Sequence, residues 1–274
     1  MCDGPITLSR SSDAPERDTV PDGSYPGGKS GSGIFQRLIN LIPRHRILIS
    51  AFAGHCGIVR NIRPAEQTIV IDPDPDVCQW WSDWSRTPKG RSLEVHHCDS
   101  IEWMRFRFGL TEYSDAKSCD TTRSVPPNSA SPADAFVFCD PPYVLSERSH
   151  GKQYAHELCD DGHRRLLEVL TRIPATAAAV MLCGYDSPIY SPLEMWRSID
   201  HRVPTRGGLQ DERIWLNYPE TDNLHDFGHV GNNRRERERI RRRQLNWLSQ
   251  LNAMGDRECS AMLAVLNSVN DTGD

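Results

Sequence analysis

The chain of 274 residues is long enough for one catalytic domain with appendages, and its net charge of −5 does not by itself indicate a polyanionic partner. No run of about 18 apolar residues occurs, so no membrane span is expected. The N-terminus lacks a basic start followed by an apolar stretch, and the nine cysteines form no C-x-x-C pair. These features predict a cytoplasmic protein with free thiols, without disulfides and without a metal site.

The first half of the chain predicts a tail, a helix and a series of strands. Residues 1–24 are rich in Ser, Asp, Pro and Thr, which is typical of a disordered segment. Apolar residues recur at helical spacing between Ile34 and Ile42, and Pro43 would end that helix. Short apolar runs predict five strands. They cover residues 46–52, 67–74, 92–100, 135–140 and 176–185.

The second half adds a helix and a hairpin. Residues 160–173 have an apolar face at helical spacing, with Asp160 or Asp161 as the predicted N-cap. Strand-like runs at 201–205 and 212–218 flank a Gly-Gly turn and predict a final hairpin. Apolar strands separated by helices indicate an α/β fold with a mostly parallel sheet covered on both faces.

Acidic residues stand at the ends of three predicted strands. Asp72, Asp99 and Asp140 each close one of them. Parallel strands bring their carboxyl ends to one edge of the sheet, and ligands bind outside that edge. We therefore expect these three carboxylates to converge on one site.

The four residues "DPPY" that end the fourth strand predict a particular kind of recognition. Pro141 and Pro142 fix φ near about −65° and lack backbone N–H groups. Asp140 and the Pro141 carbonyl therefore stand side by side as two acceptors without a local donor, and Tyr143 adds a flat ring. This combination suits a planar group that bears an exocyclic amine.

Asp-Pro-Pro-Tyr after a strand resembles the catalytic motif of methyltransferases that act on base amines. Together with further blocks along the chain, it resembles the Dam-like DNA adenine-N6 methyltransferases, in particular their phage and prophage branch. The resembling blocks, over roughly residues 25–220, are "YPGGKS" (25–30), "AFAGHCG" (51–57), Asp72, Asp99, "DPPY" (140–143), "DDGHRRLLEVL" (160–170), "MLCGYDSPIY" (181–190) and "TRGGLQDERIWLNY" (205–218). The resemblance implies a doubly wound, mostly parallel seven-stranded sheet of the Rossmann-like methyltransferase type, with a terminal antiparallel hairpin strand.

The resemblance also implies S-adenosylmethionine as the methyl donor. A glycine turn lets the backbone approach the donor's methionine portion, Asp72 would accept its ribose hydroxyls, and Tyr25 and Lys29 would grip its carboxylate. The residues expected to bind the donor are Tyr25, Lys29, Phe52, Ala53, Gly54, Asp72, Asp99 and Asp140. From the residues alone, the Gly-Gly-Lys segment is equally a flexible loop, and Asp72 or Asp99 is equally a helix cap.

The expected catalytic residues are Asp140, Pro141, Pro142 and Tyr143. Hydrogen bonds to Asp140 and to the Pro141 carbonyl would free the lone pair of the adenine amine for attack on the methyl group, mainly by positioning and electrostatics. In duplex DNA the target amine lies inside the helix, so the base must be flipped out. Tyr143 would stack on the flipped base.

Two features depart from the family pattern. Ser50 stands where relatives usually have an acid, and Ala51 stands where they usually have proline, so Ser50 supplies no charge near the donor's ammonium. The turn reads "GHCG", which displaces the second glycine by one place. We expect His55 or Cys56 to lie against the donor as a result.

The segment expected to read the DNA sequence is short. Only residues 101–134 separate the third and fourth strands, and residues 111–134 are rich in Ser, Thr and Pro and predict a mobile loop. A reader of base edges needs a positioned scaffold, so low sequence selectivity is expected. The predicted organisation is a tail (1–24), a methyltransferase domain (25–227) and a basic helical extension (228–274).

The basic extension allows two interpretations. Residues 234–243 hold seven arginines and two glutamates. They form either a solvated helix with Glu–Arg pairs of about 0.2–0.5 kcal/mol each, or an arm that contacts nucleic-acid phosphates. The arm would use Arg234, Arg235, Arg241 and Arg242.

Several functions remain open from the sequence. The expected partner is DNA, and a short reader also fits adenine in RNA or in single-stranded DNA. Ser50 and "GHCG" fit a relative that binds nucleic acid without catalysis. N4-cytosine methylation is a further alternative, although enzymes of that kind more often have serine in place of Asp140.

Overall fold

The computed structural model describes residues 29, 31, 33–90, 92–110, 134–148, 151, 154–205 and 208–271. The tail predicted over residues 1–24 lies outside this part of the chain, as does nearly all of the loop predicted over residues 111–134. A search of the described helices finds none with the length and apolar character that crossing a membrane requires.

Seven strands within the described residues form one sheet. They are β1 (Ile47–Ala51), β2 (Gln67–Asp72), β3 (Leu93–His97), β4 (Ala135–Cys139), β5 (Ala178–Gly184), β6 (Arg197–Thr205) and β7 (Gly208–Leu216). Their order across the sheet is β3-β2-β1-β4-β5-β7-β6. The first five strands run parallel, whereas β7 is antiparallel to β5 and β6. The prediction of a doubly wound, mostly parallel sheet with a terminal hairpin is confirmed.

The helices include three that the sequence analysis did not predict. The described helices are α1 (Ile34–Ile39), α2 (Gly57–Asn61), α3 (Pro75–Trp84), α4 (Ser100–Arg107), α5 (Asp160–Thr171), α6 (Arg234–Ala253) and α7 (Asp256–Asp271). Helices α2, α3 and α4 follow β1, β2 and β3 directly. The start of α3 has a clear cause, because Asp74 accepts a hydrogen bond from the Asp76 N–H at 2.9 Å and Pro75 occupies the first turn.

The predicted cap of α5 was wrong. The N-cap residue is Cys159, which makes no side-chain capping bond, and Asp160 and Asp161 both lie inside the first turn. Their carboxylates therefore interact with the positive end of the helix dipole and do not cap it. The apolar face of α5 is buried as predicted, since Leu166 and Leu170 are fully inaccessible.

Apolar layers cover both faces of the sheet. Alternate residues of a strand point to opposite faces. On one face, Ile49 and Val137 belong to the same buried cluster as Leu166 of α5. On the other face, Phe136 clusters with Trp81 of α3. The central strands β1 and β4 are buried along their whole length, so they form a rigid base for the loops that follow them.

The order of the strands fixes where a ligand is expected. The chain moves outward from β1 to β2 and β3, and then crosses back to β4 on the other side of β1. A crevice opens at such a reversal, between the loops that leave the carboxyl ends of β1 and β4. The predicted site residues after these two strands therefore border the same crevice.

Replacing a buried residue of α5 tests how the sheet is covered. We expect Leu170→Ala to lower the free energy of unfolding by about 2–5 kcal/mol, because it leaves a cavity against the central strands. Urea denaturation followed by circular dichroism measures this change. Glu168→Ala is the matched control on the exposed side of α5 and should be nearly neutral. Equal losses in the two variants would contradict the packing.

Candidate active site

Strand β4 delivers Asp140 to the carboxyl edge of the sheet. Asp140 is the first residue after the strand, and its side chain keeps 14% of its accessible surface. Pro141 and Pro142 follow, outside any helix or strand. Within the described part of the chain, no residue donates a hydrogen bond to the Pro141 carbonyl or to Asp140 Oδ2. Among the described residues, two acceptor oxygens at the end of a buried strand therefore have no hydrogen-bond donor.

The Asp140 Oδ1 atom belongs to a buried polar cluster. The Tyr143 hydroxyl donates to Asp140 Oδ1 at 3.2 Å, and the Lys29 ammonium lies 3.2 Å from the same atom. Lys29 also donates to the Tyr143 hydroxyl. On its other side, Lys29 Nζ donates to Glu212 Oε1 and Oε2 at 3.2 and 3.1 Å. One ammonium thus bridges two carboxylates.

Burial and charge shift the ionisation of this cluster. Burial raises the pKa of Asp140 to about 6, with the charge of Lys29 opposing this rise and that of Glu212 adding to it. Burial alone would lower the pKa of Lys29, but the charges of Asp140 and Glu212 outweigh it and hold that pKa above its ordinary value. Burial, together with the two carboxylates, raises the pKa of Tyr143. Near neutral pH, Lys29 is a cation and Asp140 is mostly a carboxylate.

The turn after β1 has an unusual backbone. Phe52 has φ of 55° and Gly54 has φ of 44°, and the value at Phe52 is uncommon for a residue with a side chain. Hydrogen bonds hold this turn: the Phe52 N–H donates to Ser100 Oγ at 3.0 Å, and the Ala53 N–H donates to the Ile71 carbonyl at 3.0 Å. Strained backbone held in this way is typical of functional sites.

Asp72, the last residue of β2, is buried and binds the turn. Its Oδ2 atom accepts the Gly54 N–H at 2.8 Å, and its Oδ1 atom accepts the Asp74 N–H at 2.9 Å. Burial raises its pKa, and these two backbone hydrogen bonds oppose the rise. Asp72 is therefore not a helix cap, because the cap of α3 is Asp74.

Asp99 does act as a helix cap. It is exposed and accepts the N–H groups of Ile101 and Glu102 at 2.8 and 3.0 Å, which starts α4. Of the two interpretations of Asp99 from the sequence, the structure therefore shows the helix cap.

Lys29, His55 and Tyr25 are the remaining residues that the sequence analysis placed against the donor. The Lys29 ammonium, expected to grip a carboxylate of the donor, is bound to Asp140 and Glu212. His55 stacks on Trp80 of α3, with ring centroids 4.4 Å apart. Tyr25 lies outside the described residues.

Two residues of this site were missed by the sequence analysis. Glu212 lies on β7 with 8% of its side-chain surface exposed. Its place two residues before Ile214 and four before Leu216 puts all three on one face of the strand, so the alternation could have identified it as a buried acid. Tyr185 follows β5 and packs edge-on against Tyr143, with ring centroids 4.6 Å apart.

The arginine-rich helix α6 has Glu–Arg pairs and also exposed arginines. Arg234 Nε lies 3.0 Å from Glu238 Oε1, as expected for a solvated helix with Glu–Arg pairs. Arg235, Arg241 and Arg242 are exposed, and within the described part of the chain none of them forms a salt bridge. These three charges face solvent. Among the described residues, no group of three or more His, Cys, Asp or Glu side chains could hold a metal ion.

No family model and no curated protein sequence matches this chain. Solved structures with a similar fold include M. capricolum TrmK in complex with S-adenosyl-homocysteine, at 8% identity over 88% of this chain and 97% of that chain, with a TM-score of 0.41. A SAM-dependent methyltransferase from Agrobacterium tumefaciens is 12% identical over 67% and 60% of the two chains, with a TM-score of 0.40. The N-terminal domain of human METTL16 in complex with SAH is 9% identical over 68% of both chains, also with a TM-score of 0.40. At this level of similarity, these proteins do not reveal what this chain binds.

The bridging position of Lys29 leads to a stability prediction. Lys29→Met leaves two like charges buried together, so we expect the free energy of unfolding to fall by roughly 3–5 kcal/mol at pH 8. At pH 5 the loss should be smaller, because Asp140, with a pKa of about 6, is then mostly protonated. Urea titrations at the two pH values measure both losses. Lys89→Met, at an exposed position, is the control. The same loss at both pH values would contradict the bridge.

Proposed function

We propose that this chain transfers a methyl group from S-adenosylmethionine to the N6 amine of adenine in DNA. The observation that carries the proposal is the pair of acceptors at the end of β4. Asp140 Oδ2 and the Pro141 carbonyl have no donor within the described part of the chain, and the Tyr143 ring follows them. An exocyclic amine on a planar base has the two N–H groups and the flat face that this arrangement suits.

The turn after β1 supports S-adenosylmethionine as the donor. Backbone with positive φ at Phe52 and Gly54 can approach a ligand closely. The carboxylate of Asp72 ends β2 beside this turn, and each of its oxygens has a second lone pair available for a ribose hydroxyl. In the proposal Ala53 contributes backbone to the same surface, and Asp99 lies between the donor and the base. When bound, the donor supplies a methyl group on a positively charged sulfur.

Asp140 and Pro141 would activate the amine without a covalent intermediate. The amine of adenine is a poor nucleophile because its lone pair is delocalised into the ring. Hydrogen bonds from its two N–H groups to Asp140 Oδ2 and the Pro141 carbonyl favour a pyramidal nitrogen, on which the lone pair is localised. In the proposal, Asp140 also accepts the proton that the nitrogen must lose, and S-adenosyl-homocysteine leaves. Positioning and preorganised charge supply the rate enhancement.

Tyr143 would hold the base that these acceptors bind. A base inside a duplex cannot reach the crevice, so it must be flipped out at a cost of a few kcal/mol. Stacking of an aromatic side chain on a base contributes about 1–3 kcal/mol and offsets part of that cost. The hydrogen bonds of the Tyr143 hydroxyl to Lys29 and Asp140 fix the ring before the base arrives.

Helix α6 would contact the phosphates of the nucleic acid. Arg235, Arg241 and Arg242 are exposed, and Arg234 keeps 87% of its side-chain surface despite its pairing with Glu238. Such contacts give affinity without sequence information. The segment proposed to read the DNA sequence, residues 101–134, is short. Phosphate contacts from α6 together with this short segment support relaxed sequence specificity.

The role of Asp140 is tested by Asp140→Ala. We expect methyl transfer to fall by at least about 10²–10³-fold, because one acceptor for the amine is lost. Binding of S-adenosylmethionine, measured by calorimetry, should weaken much less than methyl transfer, because the turn after β1 and Asp72 are unchanged. Asp161→Ala, on the exposed first turn of α5, is the control for transfer rate. Turnover at the wild-type rate in Asp140→Ala would contradict the assignment.

The role of α6 is tested by measuring how the affinity for DNA depends on salt concentration. The double variant Arg241→Ala, Arg242→Ala removes two proposed phosphate contacts. For its binding to duplex DNA, the slope of the logarithm of the association constant against the logarithm of the salt concentration should be reduced in magnitude by about 2. Arg164→Ala with Arg172→Ala removes the same charge from α5 and should leave the slope unchanged. Equal slopes in all three proteins would exclude α6 from the interface.

Relaxed specificity is tested by mapping methylated adenines in DNA of mixed sequence. We expect modification in many sequence contexts, since little of the chain is available to read base edges. Restriction of all modification to one long site would contradict this expectation. Parallel reactions with single-stranded DNA and with RNA decide the substrate, and a clear preference for either would replace duplex DNA in the proposal.

A further inference from the structure

Glu212 is a buried acid whose place in the proposed reaction has not been assigned above. It lies on β7, opposite His201 of β6 in the antiparallel ladder. Strand β7 pairs with β5, and β5 pairs with β4, so Glu212 lies two strands away from Asp140 at the same end of the sheet. A carboxylate with 8% of its side-chain surface exposed needs a partner.

Lys29 is that partner, and it connects Glu212 to Asp140. Both carboxylate oxygens of Glu212 accept from Lys29 Nζ, at 3.1 and 3.2 Å. The same nitrogen lies 3.2 Å from Asp140 Oδ1. Lys29 lies before α1 and has φ of 51°, and its ammonium contacts side chains of β7 and of the turn after β4.

We propose that Glu212 is a positioning residue, which holds the Lys29 ammonium at a shared position so that Asp140 keeps one oxygen for the amine. The inference rests on the proposed function and extends it from the residues that touch the base to a residue that acts through Lys29. Glu212 itself contacts neither acceptor oxygen. Glu212 acts by determining the position of the Lys29 ammonium.

The division of the Lys29 charge explains why a second acid is useful. With Asp140 as its sole partner, Lys29 could move fully onto that carboxylate and weaken both of its oxygens as acceptors. With Glu212 on the other side, the ammonium contacts only Oδ1 of Asp140. Oδ2 then remains free of donors within the described part of the chain and is available to the amine.

Other groups around Asp140 bear on its ionisation and are the same in every variant below. Besides Lys29 and Glu212, the described titratable groups that act on Asp140 or lie beside its partners include Cys56, Cys139, Tyr143, Arg148, Tyr154, Cys183, Tyr185, Tyr190 and His201. Among the principal influences on Asp140, burial and the charge of Glu212 raise its pKa, and Lys29 lowers it. Removing the charge of Glu212 therefore lowers the pKa of Asp140.

The first experiment titrates Asp140 directly, without substrate. Aspartate labelled at the side-chain carboxyl carbon is followed by NMR against pH, and Asp140→Asn assigns the resonance. In Glu212→Gln we expect the Asp140 midpoint to move down by on the order of one pH unit. Asp211→Asn, the adjacent exposed acid on β7, should leave it in place. An unchanged midpoint in Glu212→Gln overturns the inference.

A second variant protects this test against failure to fold. Glu212→Asp keeps the charge but withdraws it by one methylene, so the midpoint should move in the same direction by less than in Glu212→Gln. If Glu212→Gln does not fold, the wild type and Glu212→Asp are compared alone. Equal midpoints in those two proteins would then overturn the inference.

The second experiment measures methyl transfer against pH. The acid limb of kcat/KM should move to lower pH in Glu212→Gln by the same amount as the NMR midpoint, and the plateau above it should fall, because Lys29 then competes with the amine for Asp140. An acid limb that stays in place while the midpoint moves would overturn the positioning role. If the midpoint moves but no variant methylates any adenine, the proposed function fails while the coupling of Glu212 to Asp140 stands.

Discussion

The ammonium of Lys29, held between the carboxylates of Asp140 and Glu212, is the interaction on which the organisation of this site depends. It joins three parts of the fold that are far apart in the chain: the segment before α1, the turn after β4, and the hairpin strand β7. Without it, two neighbouring carboxylates would be buried without the cation that offsets their desolvation. In the proposed function, the same cation also determines which oxygen of Asp140 is left for the amine.

A different carboxylate organises the turn after β1, where the proposal places the methyl donor. Each oxygen of Asp72 accepts a hydrogen bond from a backbone N–H group, one in the turn after β1 and one at the start of α3. The turn keeps its positive φ at Phe52 because these bonds and the contact with Ser100 hold it. The cluster around Lys29 and the turn bound by Asp72 therefore depend on separate hydrogen-bond networks. A substitution in one network can be tested while the other remains intact.

The sequence predicted the sheet and the edge at which Asp72 and Asp140 lie, since apolar runs and strand-ending acids are local patterns. It did not predict α2, α3 or α4 as elements, although it weighed Asp72 and Asp99 as helix caps, and α2, with five residues, is too short to show a helical repeat. Asp99 has the pattern of a strand-ending acid, but the structure uses it as a cap. The partners of Lys29 could not be predicted from spacing, since Glu212 is 183 residues away and meets it only after the hairpin docks beside β5.

The most direct measurement of the central claim is the chemical identity of the product. The wild-type protein is incubated with S-adenosylmethionine and DNA of mixed sequence, the DNA is digested to nucleosides, and their masses are compared with those of standards. N6-methyldeoxyadenosine is the predicted product, because the acceptors at Asp140 and Pro141 suit the adenine amine. Methylation confined to cytosine, or no methylated nucleoside from duplex DNA, single-stranded DNA or RNA, would contradict it.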